Sequence, residues 1–355
     1  MGQMFTLHEL TLVILTILIL VFLFTLGLLI YSFRAYKLEI NRKYWKNMLN
    51  ERLMEVIVEG NNAELNIDPK LSELLKQERF RRFFLGQLIE ADRKFSGAAA
   101  ISLQKVYYTY HLDRESYDLL RSFKGHLVAR GIQALTIMNV RDALPEIESK
   151  INHRNKNVVH EVQYAMVYFN GFEGLSFMDN LEGVLSNWEQ LRILNNIKSL
   201  PVGSVSKIAS WLKSNNPSVL LFALKLVRKF QIFELHDLVM SFLGQGDDFI
   251  QKEVIKTLFS LDSQDTSAML VERYPELNEN IQFEILKGLG QTRAFDQVDF
   301  LKSNLLHSPT KRNKVMAAEA LANLGEFKYL IDLSNQLDPE DPALLVLNHA
   351  LQKKS

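Results

Sequence analysis

The 24 residues from Leu10 to Phe33 carry no charged side chain and one glycine, Gly27. As a helix, such a run reaches about 36 Å, enough to cross a hydrocarbon core of ~30 Å with some tilt. Backbone surrounded by lipid finds no water to bond, so the segment must satisfy itself as a helix. Thr11, Thr16 and Thr25 interrupt the apolar run only with hydroxyls able to bond back into the preceding turn. The chain is therefore expected to place one helix in a membrane and fold the remainder outside it.

Orientation follows from the cations that flank the run. Residues 1–9 contain no Lys or Arg, whereas Arg34, Lys37, Arg42, Lys43 and Lys46 follow it closely. Tyr31, Tyr36 and Trp45 sit among those cations, as amphipathic rings do at a headgroup layer. These eight residues form the expected membrane interface, with the N-terminus outside and residues 34–355 in the cytoplasm. A cleaved signal peptide would need a basic leader, a shorter apolar core and a small-residue cleavage site, none of which stands here. Met1-Gly2-Gln3-Met4-Phe5-Thr6 fits a myristoylation pattern, but a chain that already spans the bilayer gains little from an acyl group.

Beyond the run, the chain reads as helix throughout. Residues 34–60 form a basic stalk with an apolar stripe at Leu38, Trp45, Leu49, Leu53, Val56 and Ile57. Such a stripe also suits a short coiled coil, and the cations suit anionic lipid. A polar loop is expected from Gly60 to Pro69, and a helix over about 71–94. Arg79, Arg81 and Arg82 on that helix are candidates for lipid or partner contact, although such charges commonly form only a solvated face. Phe95-Ser96-Gly97 ends it. Residues 61–114 together form a helical N-terminal cap region.

From about residue 115 one pattern recurs. Apolar pairs stand at Ala134-Leu135, Ala165-Met166, Ile193-Leu194, Ala223-Leu224, Val254-Ile255, Ile285-Leu286 and Ala320-Leu321, spaced by 31, 28, 30, 31, 31 and 35 residues. Each pair has a further apolar residue one turn on, then a turn, then a second amphipathic stripe. Polar caps or turn residues open most units: Asn157, Asn187, Asn216-Pro217, Asp247-Asp248, Asn278 and Pro309-Thr310. Seven repeats near 31 residues signal stacked helical hairpins, because one hairpin cannot bury its own apolar face. The array is placed at 115–338, with a capping helix and tail at 339–355.

Val315-Met316-Ala317-Ala318-Glu319-Ala320-Leu321-Ala322-Asn323-Leu324-Gly325 resembles the HEAT-repeat pattern, and Asn280 to Gly290 resembles it less closely. The resemblance covers roughly residues 125–335, and the pattern of Phe95-Ser96-Gly97, Leu112-Asp113 and Gly131-Ile132 is similar to that of bacterial membrane-anchored HEAT-repeat proteins. That resemblance implies an all-α architecture: transmembrane helix, helical stalk and an α-solenoid of HEAT-like hairpins. It departs from the family where His160, Leu220, Gln251, Gln282 and Met316 occupy the position of the usual Arg.

The function classes excluded are fewer than those left open. Forty-one Lys and Arg balance 41 Asp and Glu, which argues against a general nucleic-acid binder. With no cysteine, disulfides, thiolate nucleophiles, Cys-ligated zinc and iron–sulfur clusters are excluded. None of the eight histidines stands in a metal-binding spacing. Gly244-Gln245-Gly246-Asp247 lacks the Lys-Ser/Thr of a phosphate loop, and no serine sits in a nucleophile elbow. No catalytic, cofactor-binding or metal-ligating residue is expected, and no cofactor. The expected function is a scaffold at the bacterial inner membrane. Its cytoplasmic array would bind a membrane or envelope-associated protein, and its anchor and stalk would contact lipid. The alternative is an enzyme or a regulatory subunit, since some short HEAT-like proteins resemble chromophore lyases and others suit envelope polysaccharide machinery.

Overall fold

The computed structural model describes residues 7–59, 69–95, 97–261, 265–336 and 342–352. The loop expected at 60–69 therefore lies almost wholly outside the described residues. So do the Met1–Thr6 motif, Ser96 and the end of the array at 338–341. The described residues form nineteen α-helices and no strand, so the chain is all-α. It divides into two compact units, Met1–Ala165 and Met166–Ser355.

The first unit opens with α1, Leu7–Glu59, a single helix of 53 residues. Side chains from Leu12 to Phe33 are bare, including Phe22, Phe24 and Leu29. The helix has one window apolar and long enough to cross a membrane. Within it, the Thr16 hydroxyl donates to the Leu12 carbonyl at 2.7 Å and that of Thr25 to Phe22 at 2.8 Å. These bonds hide the hydroxyls from an apolar surrounding.

The lower part of α1 behaves differently. Trp45, Leu49, Leu53 and Val56 recur every three or four residues and are all buried, with Leu49 only 1% exposed. They pack against α3 (Glu78–Asp92) and α4 (Ala98–Thr109). Phe80, Phe84 and Leu88 of α3 and Leu103, Val106 and Tyr107 of α4 belong to the same buried set. The stripe expected on a stalk is thus one wall of a helical body. Helix α2 (Pro69–Leu75) packs on α3, and α5 (Leu112–Leu120) crosses α6 (Gly125–Ile137) closely. A Cβ at Gly131 would stand 2.4 Å from the Leu120 nitrogen, so only glycine permits this crossing. Helix α7 (Leu144–Glu148) follows, and the boundary between the units falls inside α8 (Lys156–Asn170).

The second unit is built from hairpins. The first helices are α9 (Asn187–Asn196), α11 (Pro217–Phe230), α13 (Asp248–Leu261), α15 (Glu279–Gln291) and α17 (Lys311–Asn323). Their partners are α10 (Ser204–Leu212), α12 (His236–Ser241), α14 (Thr266–Arg273), α16 (Val298–His307) and α18 (Phe327–Gln336). From α11 to α17, successive first helices pack on one another, and α19 (Pro342–Gln352) lies against α17 and α18. One continuous buried cluster runs from Val167 to Ala350. Side-chain caps open the hairpins: Asn216 accepts from the Ser218 amide, Asn278 from Ile281 and Thr310 from Asn313. At α9 the cap is Ser186 in a reciprocal box with Glu189, one residue before the expected Asn187.

Three of these first helices, and α6 of the first unit, end alike. Asn139, Gln231, Arg293 and Gly325 have positive φ, and the next amide in each case reaches six residues' span back, as in Val140 to Leu135 and Ile232 to Val227. This is the Schellman closure. The four positions lie 92, 62 and 32 residues apart, close to three, two and one repeats. On that register Ala320-Leu321 corresponds to Gly288-Leu289, one turn beyond Ile285-Leu286. The irregular 35-residue interval in the sequence pattern is therefore a pairing of non-equivalent turns.

Two glutamines near the starts of first helices make ties between elements. Gln251 donates to the Phe242 carbonyl at 2.9 Å and accepts from the Gly244 amide at 2.8 Å. Gln282 donates to the Tyr274 carbonyl at 3.1 Å and accepts from Asn313 at 3.2 Å. Each amide ties a first helix to the segment entering it, adding a second donor to a carbonyl that already accepts from a turn amide.

Candidate membrane-proximal site

A groove of about 600 Å³ lies beside α1 just past its apolar half. Ala35, Leu38, Glu39, Arg42, Lys43 and Lys46 line it from α1, and Phe83 from α3. The α1 residues share a face because they fall at helical three- and four-residue spacings. Arg42, Lys43 and Lys46 are exposed and make no ion pair with a described residue. A second groove of about 380 Å³ shares Lys46 and continues between α1 and α3 past Asn50, Met54, Gln87 and Lys94.

The expected interface residues separate into two groups. Tyr31, Arg34, Tyr36, Lys37, Arg42, Lys43 and Lys46 are exposed along α1. Trp45 is 8% exposed, with its ring 5.3 Å from Phe80 and 5.7 Å from Phe83. Its aromatic surface is spent on the core, so it is not available to a headgroup layer.

The arginines of α3 also separate. Arg79 is exposed. Arg81 and Arg82 instead converge on Glu115 of α5, itself 2% exposed, at 2.9 and 2.8 Å. Arg81 further donates to the Leu75 and Lys76 carbonyls at the end of α2. Arg82 also pairs with Glu78. Arg130 of α6 donates to the Arg82 carbonyl at 2.9 Å, and its guanidinium is pushed below its usual value by burial and by the nearby Arg82 charge. These cations hold four helices together rather than facing a ligand. Glu115 lies 34 residues from Arg81, beyond any local sequence signal.

No group of three potential metal ligands exists among the described residues. His236 contacts Asp237 at 3.1 Å and the Thr266 hydroxyl at 2.8 Å, an order that looks like a base between an orienting acid and a nucleophile. Thr266 is only 2% exposed, however, so no substrate carbonyl reaches it, and the set joins α12 to α14. Lys225, 9% exposed, donates to Gln190 at 2.7 Å and Asn187 at 3.1 Å without a carboxylate partner. Burial pushes its pKa down. Along α4 and its end, Tyr107 and Tyr110 are buried and Tyr108 is exposed. Tyr107 donates to Ser116 at 2.9 Å, and burial drives its phenol well above its ordinary value.

No family profile matches the chain, and no curated protein matches it. Two solved structures with partial similarity are both described as engineered proteins of the Northeast Structural Genomics Consortium. One has a TM-score of 0.37 at 16% identity, over 79% of this chain and 87% of its own. The other has a TM-score of 0.24 at 14% identity, over 73% and 98%. Similarity at this level carries no argument about function. The class defined here is an all-α chain with one helix suited to crossing a membrane and a body of packed helical hairpins.

Proposed function

We propose that the chain is a single-pass scaffold of the bacterial inner membrane, with its N-terminus outside and residues 34–355 cytoplasmic, whose HEAT-like hairpin array binds a protein partner. The observation that carries this reading is the division of α1 into a bare apolar half and a half built into a folded body. A helical body tethered to an anchor stays near the bilayer, which raises its effective concentration for membrane partners. The HEAT assignment is supported by the helix closures that recur at near-multiples of one repeat. Val184, Trp188 and Leu191 present bare apolar surface on and before α9, at 74, 73 and 48% exposure, and are the place to look for the partner. Aromatic anchors of that kind dominate protein interfaces.

Two measurements test the reading. Because the chain has no cysteine, single thiols give unambiguous labels. A thiol at exposed Phe123 (Phe123→Cys) is expected to react with an impermeant maleimide only after the membrane is opened. Reaction in intact cells reverses the orientation. In-cell crosslinking of the full chain, read by mass spectrometry, is expected to capture one dominant protein that Trp188→Asp with Leu191→Asp loses. Absence of any specific partner from the unaltered chain rejects the scaffold reading.

A further inference from the structure

We infer that the groove lined by Ala35, Leu38, Arg42, Lys43, Lys46 and Phe83 is a binding site for the phosphate headgroup of an acidic phospholipid. The inference rests on the membrane-anchor reading and adds a defined site and ligand class to it. Its first support is position. The groove starts two residues beyond the apolar run, on the same unbroken helix. Side chains of an α-helix tilt toward its N-terminus. Arg42, Lys43 and Lys46 therefore lean back toward the bilayer surface, and their long stems extend that reach.

The second support is charge. Three cations and one acid, Glu39, line the groove from the same face of α1. No described residue forms an ion pair with the three cations, although the Lys46 charge acts on Glu90, whereas Arg81 and Arg82 nearby are held by Glu115. The unspent charge is concentrated at the one place a lipid phosphate would lie. The third support is the apolar lining. Leu38, Ala35 and Phe83 give the groove a greasy wall continuous with the bare face of α1, which suits the glycerol and upper acyl region of a lipid. A free inorganic anion would leave that wall in water. A volume of about 600 Å³ is of the size that holds a headgroup.

The test uses the full chain in nanodiscs of equal phosphatidylglycerol and phosphatidylcholine, with retained lipid read by native mass spectrometry. The expected result is retention of phosphatidylglycerol over phosphatidylcholine by on the order of tenfold, as a few cations near a charged surface supply. Arg42→Gln, Lys43→Gln and Lys46→Gln together should bring the ratio to near parity. A charge-matched control in the second unit, Lys198→Gln, Lys213→Gln and Lys328→Gln, should leave the preference intact. Equal retention of the two lipids by the unaltered chain, or an equal loss in the control, overturns the site. Displacement of the lipid by millimolar inorganic phosphate overturns the lipid as ligand. The two readings fail separately: a chain that does not float with vesicles sinks the anchor and the site together. One that floats without lipid preference sinks the site alone.

Discussion

The two halves of α1 both present large apolar residues, almost continuously in the first and at intervals in the second, and they solve opposite problems. Between Leu12 and Phe33 the apolar side chains surround the helix and nothing in the fold covers them. Between Trp45 and Val56 they form one stripe, and α3 and α4 cover it. A helix apolar all round asks for lipid, whereas a helix with one apolar stripe asks for a neighbour. Seven exposed residues of the expected interface, among them Arg42, Lys43 and Lys46, mark the change from one regime to the other.

The sharpest way to break this contrast is to charge the first half. Leu18→Arg with Leu20→Arg places two guanidiniums in the bare segment, each costing about 2.5–3.5 kcal/mol on insertion scales. The chain is expected to leave the carbonate-resistant membrane fraction while its body keeps its helical circular dichroism. Next in size is Leu49→Ala, which opens a cavity in the first unit. A loss of about 2–5 kcal/mol is expected in urea unfolding, with membrane association unchanged. Should Leu49→Ala abolish membrane association and leave stability intact, the two halves do not differ as argued.

A smaller effect is expected from Glu115→Gln, which leaves Arg81 and Arg82 without their shared carboxylate. Both arginines are about one-third exposed, so solvent screening limits the loss to about 1–3 kcal/mol. The melting temperature of the first unit should fall, and lipid retention should not. The mildest change concerns acid stability in the second unit. Burial pushes the Glu253 carboxyl up, but the Lys256 hydrogen bond and the Arg228 and Lys256 charges outweigh it and hold the pKa below its ordinary value. A depressed carboxylate stabilises the fold above its unfolded pKa of ~4.3 and loses that contribution as pH falls through its folded value. Glu253→Gln should therefore flatten the stability profile between about pH 5 and pH 3, at a cost below about 1 kcal/mol near neutrality. An unchanged acid limb in thermal melts would show the pair to be inert.

The first half of α1 was legible because lipid makes its demand on every residue of the span, with no tertiary partner to know. The second half was legible only as a stripe. Leu49, Leu53 and Val56 announce that something must cover them, but their cover begins at Phe80, across a connection with no pattern of its own. Trp45 looked interfacial because aromatic rings beside cations usually are, and only the position of Phe80 and Phe83 decides otherwise. Arg81 and Arg82 looked free for the same reason, with Glu115 more than thirty residues away. The repeats were visible through their apolar pairs. Their register was not, because Asn139, Gln231 and Arg293 end helices in a left-handed conformation that only Gly325 advertises. The ties made by Gln251 and Gln282 were not legible either, because an amide near a helix start gives no local sign of the carbonyl it will reach. The groove itself joins a visible basic run to Phe83, whose place on the apolar face of its helix does not say which neighbour it meets.

Helix α1 runs 53 residues without proline, about 80 Å from end to end. In the proposed bilayer setting it is a lever with its fulcrum in the acyl region. A thinner bilayer demands more tilt of the same apolar length. About 10° of tilt about the bilayer midplane would carry Val56 sideways by roughly 9 Å, because some fifty ångströms of helix separate it from the pivot. Trp45, Leu49, Leu53 and Val56 are clamped by α3 and α4, so the lower arm does not slacken and the body it belongs to swings with it. Bilayer thickness is thereby converted into the position of a folded surface.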